Sequence, residues 1–154
     1  MLYDKFWPHV LSLFRVIVGT LFVSHGAATI FGILGGNMGS GHAAPVGTWP
    51  SWWAALIQLI AGTAVALGLG TRPAALLCSG SMAYAYFSIH QHKALLPIQN
   101  SGEPAVMFCW TFLLIAVAGP GTWALDTLLT RTGNSPRQQH QDRQPTAVQD
   151  NVTA

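Results

Sequence analysis

Between Lys5 and Lys93 the chain carries only two basic residues, Arg15 and Arg72, and this near absence of charge limits its folds more than any motif does. Over all 154 residues 8% are charged and 51% hydrophobic, where a soluble globular domain carries about 25% charged residues. A body so poor in charge has no polar face to turn to water, and lipid is the solvent that suits it. The remaining arginines, Arg131, Arg137 and Arg143, gather at the C-terminus. A net charge of +2 with no basic face or stripe excludes nucleic acid as a partner.

Four apolar segments follow one another. The first, residues 10–31, is long enough for the roughly 20 residues a bilayer core demands, and is interrupted by Arg15 and His25. Arg15 falls where the apolar core of a cleaved signal peptide would lie, so cleavage is not expected. Segments 52–69 and 73–90 are joined by so short a link, Gly70 to Arg72, that they must form an antiparallel helical hairpin. Pro73 suits a first helical turn. The fourth segment, 102–118, opens with Glu103 and Pro104 and stops at Gly119, Pro120 and Gly121, which is helix punctuation. The apolar runs are continuous and do not alternate, which excludes β-barrel strands.

The fold expected is therefore all-α: an integral membrane four-helix bundle over residues 1–130, followed by a disordered polar tail over 131–154. That tail holds almost no large apolar residue and cannot bury a core. The positive-inside rule places Lys5, Arg72 and the tail arginines in the cytoplasm and only Lys93 outside, with both termini cytoplasmic. Trp7 and Trp123 then mark the inner interface, and Trp49, Trp52 and Trp53 the outer one.

Ionisable groups inside spanning helices face the protein interior or mark a functional path. Counting 1.5 Å per residue along helices of that topology brings His25, Gln58, His90 and Glu103 into the outer half of the bilayer, with His92, Gln99 and Asn100 just above. Ser79, Met82, Ala83, Tyr86 and His90 recur at spacings of three and four, and Glu103, Met107 and Trp110 make a second stripe. A His and Glu rim over Tyr, Met and Trp walls suits a flat, hydrophobic, proton-coupled molecule such as a quinone. The candidate ligand or proton site is thus His25, Gln58, Tyr86, His90 and Glu103; the same groups equally suit hydrogen bonding that fixes helix packing. Arg15 has two readings, a side chain snorkelling to the headgroups or a pair with Asp126 that locks the first and last helices together. Gly19 and Gly26, on roughly the face of Arg15, allow close helix approach. The glycine-rich loop 32–51 is either a flexible connector or backbone that approaches a ligand.

His90 and His92 are two apart and point to different helix faces, so no metal site is expected. Cys78 and Cys109 form no CxxC; counted along the helices they fall nearer opposite membrane surfaces, too far apart for a disulfide. No transporter-like inverted repeat or broken helix is visible.

Arg15 with Gly19, Phe22 and the His25-Gly26 pair, Gly62 followed by LGLGTRPAAL at 67–76, MAYAYFSIH at 82–90, NSGE at 100–103 and GPGTWALD at 119–126 resemble the DoxX family of bacterial inner-membrane proteins. The match runs from residue 15 to 126. It departs at Thr29, where the family often has lysine, at Gln58, where it usually has glutamate, and at Pro104. The resemblance implies a multi-pass protein of the inner membrane, from a family named for a subunit associated with thiosulfate:quinone oxidoreductase. Two functions are carried forward. One is a membrane component of a quinone-linked oxidoreductase system, with quinone as cofactor and a soluble or membrane oxidoreductase subunit as partner. The other is a non-catalytic scaffold or assembly protein. Membrane lipid and further copies of the chain are expected partners of either.

Overall fold

Each of the four apolar segments forms a helix in the computed structural model, which describes residues 2–127, with side chains from Lys5 onward. Helix α1 spans Leu2–Phe31, α2 Ser51–Leu67 and α3 Thr71–Ala85. A π turn, Tyr86–His90, continues α3; a short helix, α4, covers Pro97–Asn100, and α5 covers Glu103–Ala118. The described residues contain no strand. The expected tail, with Arg131, Arg137 and Arg143, lies outside the described residues.

The boundaries differ from the expected ones for local reasons. Hydropathy marks residue 10 as the start of the first helix, but helix formation does not require apolar residues, and α1 begins eight residues earlier with Pro8 inside it. Helix α2 stops at Leu67 because Gly68 turns left-handed, at φ 77°. The amide of Gly68 then donates to Val65 O and that of Leu69 to Ala64 O, a Schellman closure of the helix end. The short α4 has no apolar periodicity to announce it.

Helix α1 packs along α2, α2 along α3, α3 along α5, and α5 returns to α1. Val18, Phe22, Val65, Cys78, Met82, Phe112 and Ile115 meet in the centre of this ring. The α1–α2 seam is close because of two glycines. A Cβ on Gly19 would stand 2.8 Å from the Cβ of Ala66, and one on Gly26 would stand 2.8 Å from the carbonyl oxygen of Ala55. Small residues at such positions let backbones approach and gain dispersion contacts along the whole seam.

The outward surface of the ring is apolar. Val10, Leu13, Ile17 and Leu21 of α1, Ile60 of α2, Leu76 and Leu77 of α3, and Leu114 and Val117 of α5 are all exposed. By length and composition, Lys5–Phe31 is long and apolar enough to cross a membrane, while Ser51–Leu67 and Glu103–Ala118 are shorter apolar helices.

One end of the ring is tied by Arg15, which is 0% exposed. Its Nε donates to Pro120 O at 2.9 Å, Nη1 to Ala66 O at 2.8 Å and to Val65 O, and Nη2 to Trp123 O at 3.0 Å. The guanidinium thereby serves the orphan carbonyls at the end of α2, where a cation also complements the helix dipole, and holds the loop after α5 against them. Asp126 acts on Arg15 electrostatically, and its own amide donates to Gly68 O at 3.1 Å. Arg15 does not reach outward as a snorkelling side chain would, and its hydrogen-bond partners are four backbone carbonyls. Nearby, Ser12 Oγ donates to Pro8 O at 2.8 Å and accepts from Trp123 N at 3.1 Å, so the same loop is also fastened to α1.

Cys109 lies opposite Ser79, whose Oγ donates to Cys109 O at 2.8 Å. This corrects the expected separation in depth. Helix α3 begins two residues earlier than anticipated, and both cysteines fall near the middle of their helices. Both are free.

Candidate functional site

At the other end of the ring a cavity of about 540 Å³ opens between α1, α2, α3 and α5. His25, Thr29, Gln58, His90, Lys93 and Ser101 give it its polar groups. Phe22, Met82 and Phe108 form apolar wall. Gly36, Gly39, Leu34 and Met38 of the glycine-rich loop close over one side, so that loop borders the cavity directly. Leu34 and Met38 take φ of 52° and 50°, a left-handed conformation that side chains rarely adopt.

The positions of these groups follow from local structure. His25 and Gln58 are neighbours because Gly26 has no Cβ; one built there would stand 3.0 Å from the Cβ of Gln58. The His25 ring lies edge-on to Phe108, 5.6 Å between centres. Phe108 in turn meets Phe22 at 5.1 Å, and Phe22 meets Phe112 edge-on at 4.6 Å. A stacked aromatic group backs the cavity and fixes its shape, since such rings pack with defined geometry.

His90 enters from the π turn. There the amide of Gln91 donates to Tyr86 O at 2.9 Å, an extra residue in the helical turn. That insertion breaks the spacing of three and four on which the expected Tyr86–His90 stripe rests. His90 lines the cavity, whereas Tyr86 is not among its lining residues and donates its hydroxyl to Leu95 O at 3.1 Å. The loop that carries Lys93 is folded around Asn100, which is 2% exposed. Its Nδ2 donates to Ala94 O at 2.8 Å, its Oδ1 accepts from Gly102 N at 2.8 Å, and its backbone carbonyl lies 3.0 Å from His90 Nδ1.

The structure thus gathers three of the five candidate residues, His25, Gln58 and His90, and separates Tyr86 and Glu103 from them. Glu103 is exposed, as are Met107 and Trp110 at 67% and 66%. The reason is helical phase. Helix α5 turns Pro104, Ala105 and Phe108 to the cavity, and residues 103, 107 and 110 fall on its other side. The expected Glu rim and Trp wall are replaced by Lys93 at the rim and phenylalanines in the wall. For the role of Asn100 the sequence offers one signal, its place in the run Asn100-Ser101-Gly102, a turn sequence in which a side chain folds back on the loop. Among the described residues no group of three or more His, Cys, Asp or Glu side chains stands together as a metal site would require.

Comparison with known proteins agrees with this arrangement of motifs. A family model described as DoxX matches residues 10–91, from α1 to just past the π turn. An uncharacterized protein of Haemophilus influenzae is 34% identical over 130 residues, covering 80% of this chain and 92% of that protein. The chain belongs to the DoxX family. No solved structure matches it. DoxX proteins are membrane-associated, and α1 gives this member a helix of sufficient length and hydropathy for a bilayer. In this DoxX chain the matched stretch includes every polar cavity residue except Lys93 and Ser101, and both the sequence that ends α2 and the arginine that binds there.

Proposed function

We propose that this DoxX protein is a multi-pass protein of the bacterial inner membrane that binds a quinone-type molecule between its helices, as the membrane component of a quinone-linked oxidoreductase system. The observation that carries this reading is the cavity of about 540 Å³, with His25, Gln58 and His90 beside an aromatic wall. Its volume lies within the roughly 300–1,000 Å³ of small-molecule sites, and a few polar groups in an apolar pocket are what such sites use to orient a ligand. Phe108 and Phe22 offer ring faces and edges to a flat headgroup, and Gln58 can both donate and accept.

Several features support crossing the membrane more than once. Like α1, helices α2 and α5 expose large apolar residues, and α3 adds Leu76 and Leu77, an exterior that in water would drive association. Lys5 and Arg72 stand at the Arg15 end and Lys93 at the cavity end, a distribution that by the positive-inside rule supports cytoplasmic termini and a cavity toward the outer face. At 1.5 Å per residue the 17 residues of α2 span about 25 Å, slightly less than a bilayer core of about 30 Å, a mismatch that local thinning accommodates.

The first test is purification in mild detergent, followed by solvent extraction and mass spectrometry of the lipid-soluble molecules and proteins that accompany the chain. Quinone at near one molecule per chain, reduced at least tenfold in His25→Leu and Gln58→Leu proteins of unchanged melting temperature, is the expected result. Equal quinone in the variants would place it in the surrounding lipid and sink the proposal. The scaffold reading has its own support in the Arg15 and Asn100 side chains, whose hydrogen bonds among the described residues all go to backbone groups. It predicts a ligand-free preparation and variants altered in stability alone.

A further inference from the structure

We infer that the cavity selects the reduced, hydroxyl-bearing form of an apolar ring over its oxidised form, because His90 presents a hydrogen-bond acceptor there. The inference rests on the reading of the cavity as a quinone-type site and adds the oxidation state it prefers. A backbone carbonyl accepts hydrogen bonds and cannot donate them. The 3.0 Å contact between His90 Nδ1 and Asn100 O therefore places the ring proton of neutral His90 on Nδ1. In that tautomer Nε2 carries the lone pair. Asn100 O occupies the Nδ1 side of the ring. Nε2 makes no hydrogen bond among the described residues and is the ring nitrogen left for the cavity that His90 lines.

The carbonyl that sets this tautomer is held firmly. Asn100 is almost wholly buried, and its side chain is fixed at both ends, to Ala94 O and to Gly102 N. Its own amide donates to Leu96 O at 3.2 Å. Turning the carbonyl away would break that network, so the acceptor at Nε2 is built in before any ligand arrives. This is how a second group commonly fixes the role of a histidine ring.

The other polar groups decide what the ligand must look like. Lys93 only donates, while the Gln58 amide, the Thr29 and Ser101 hydroxyls and the His25 ring can do either. An oxidised ring, which offers carbonyl oxygens alone, satisfies Lys93 and Gln58 but sets an acceptor against the lone pair of His90. The reduced ring gives a hydroxyl proton to His90 and keeps its remaining oxygens for the donors. No bond is made or broken in this selection; it is a difference in binding between two forms of one headgroup.

The test is calorimetric titration of the full chain in mild detergent, under anaerobic conditions, with a decyl-tailed dimethoxybenzoquinone and with the same compound previously reduced to the hydroquinone. Ligand-free micelles serve as blanks. One neutral hydrogen bond gained predicts roughly five- to tenfold tighter binding of the hydroquinone, and His90→Leu is expected to remove the difference. In parallel, nitrogen-15 spectra of histidine-labelled protein are expected to show His90 with a protonated Nδ1 and a bare Nε2. Binding of neither form overturns the ligand reading itself. Equal binding of both forms, or tighter binding of the quinone, overturns this inference and leaves that reading standing, as does a His90 protonated on Nε2. The wild-type comparison and the spectrum decide the question even where the variant does not fold.

Discussion

Replacing Arg15 by methionine is expected to destabilise the protein by about 4 kcal/mol and to lower its melting temperature in detergent by at least about 8 °C. Methionine keeps most of the volume and removes every donor. Val65, Ala66, Pro120 and Trp123 then lose a charged partner, and a buried acceptor left without one costs about 1–3 kcal/mol. Gly68 N still reaches Val65 O, so the losses do not simply add. Arg15→Lys is expected to recover less than half, because a single ammonium cannot span carbonyls that a planar fork reaches in three directions. A methionine variant that melts within about 2 °C of wild type would show that water or lipid replaces the arginine, and would end this account of the ring's closure.

The second large effect is expected at Gly26. Valine there sets its Cβ 2.8 Å from Ala55 O and 3.0 Å from both the Gln58 Cβ and the Leu59 amide nitrogen, and the nearest atoms are backbone. The helices must separate, at a cost of about 2–3 kcal/mol typical of overpacking. Because His25 adjoins Gly26 and Gln58 faces it, the two sides of the cavity part as well, and ligand binding should fall at least tenfold. Gly80 is the internal control. It sits in α3 with nothing within 4 Å of an added Cβ, and Gly80→Ala should raise stability by about 0.5–1 kcal/mol. Thermal melts of the three proteins and titration with one quinone check both statements; normal binding by Gly26→Val would separate the seam from the site.

The helices were legible because charge and hydropathy vary over tens of residues, and no local detail alters where an apolar run lies. That α1 approaches a neighbour closely is legible for the same kind of reason, since glycine in an apolar helix allows approach, but only the fold identifies α2 as that neighbour. What escaped the sequence was anything dependent on phase or on backbone partners. Glu103 is apolar-helix punctuation and a candidate acid in one dimension, yet a rotation of the helix carries it away from the cavity. The π turn shifts His90 relative to Tyr86 by an increment no spacing rule contains. Arg15 suggests an acidic partner, and Asp126 does act on it, but main-chain carbonyls have no letter in a sequence. The sequence makes His90 a candidate ligand or proton group, but the group that assigns its tautomer, the carbonyl of Asn100, is equally invisible there.

The fastening of the first helix to the last loop also sets a schedule for biosynthesis. Arg15 is made early, but two of its four partners, Pro120 and Trp123, are among the last residues of the described chain to leave the ribosome. Until they arrive, a nascent chain holds a cation whose site is half built, and a product that stops at Ala118 keeps all four long helices yet never completes it. Such a truncated chain should be short-lived in a pulse-chase experiment while the chain ending at Thr127 persists. The loop after α5 is in that sense the step at which the cell's proteases stop seeing an unfinished protein.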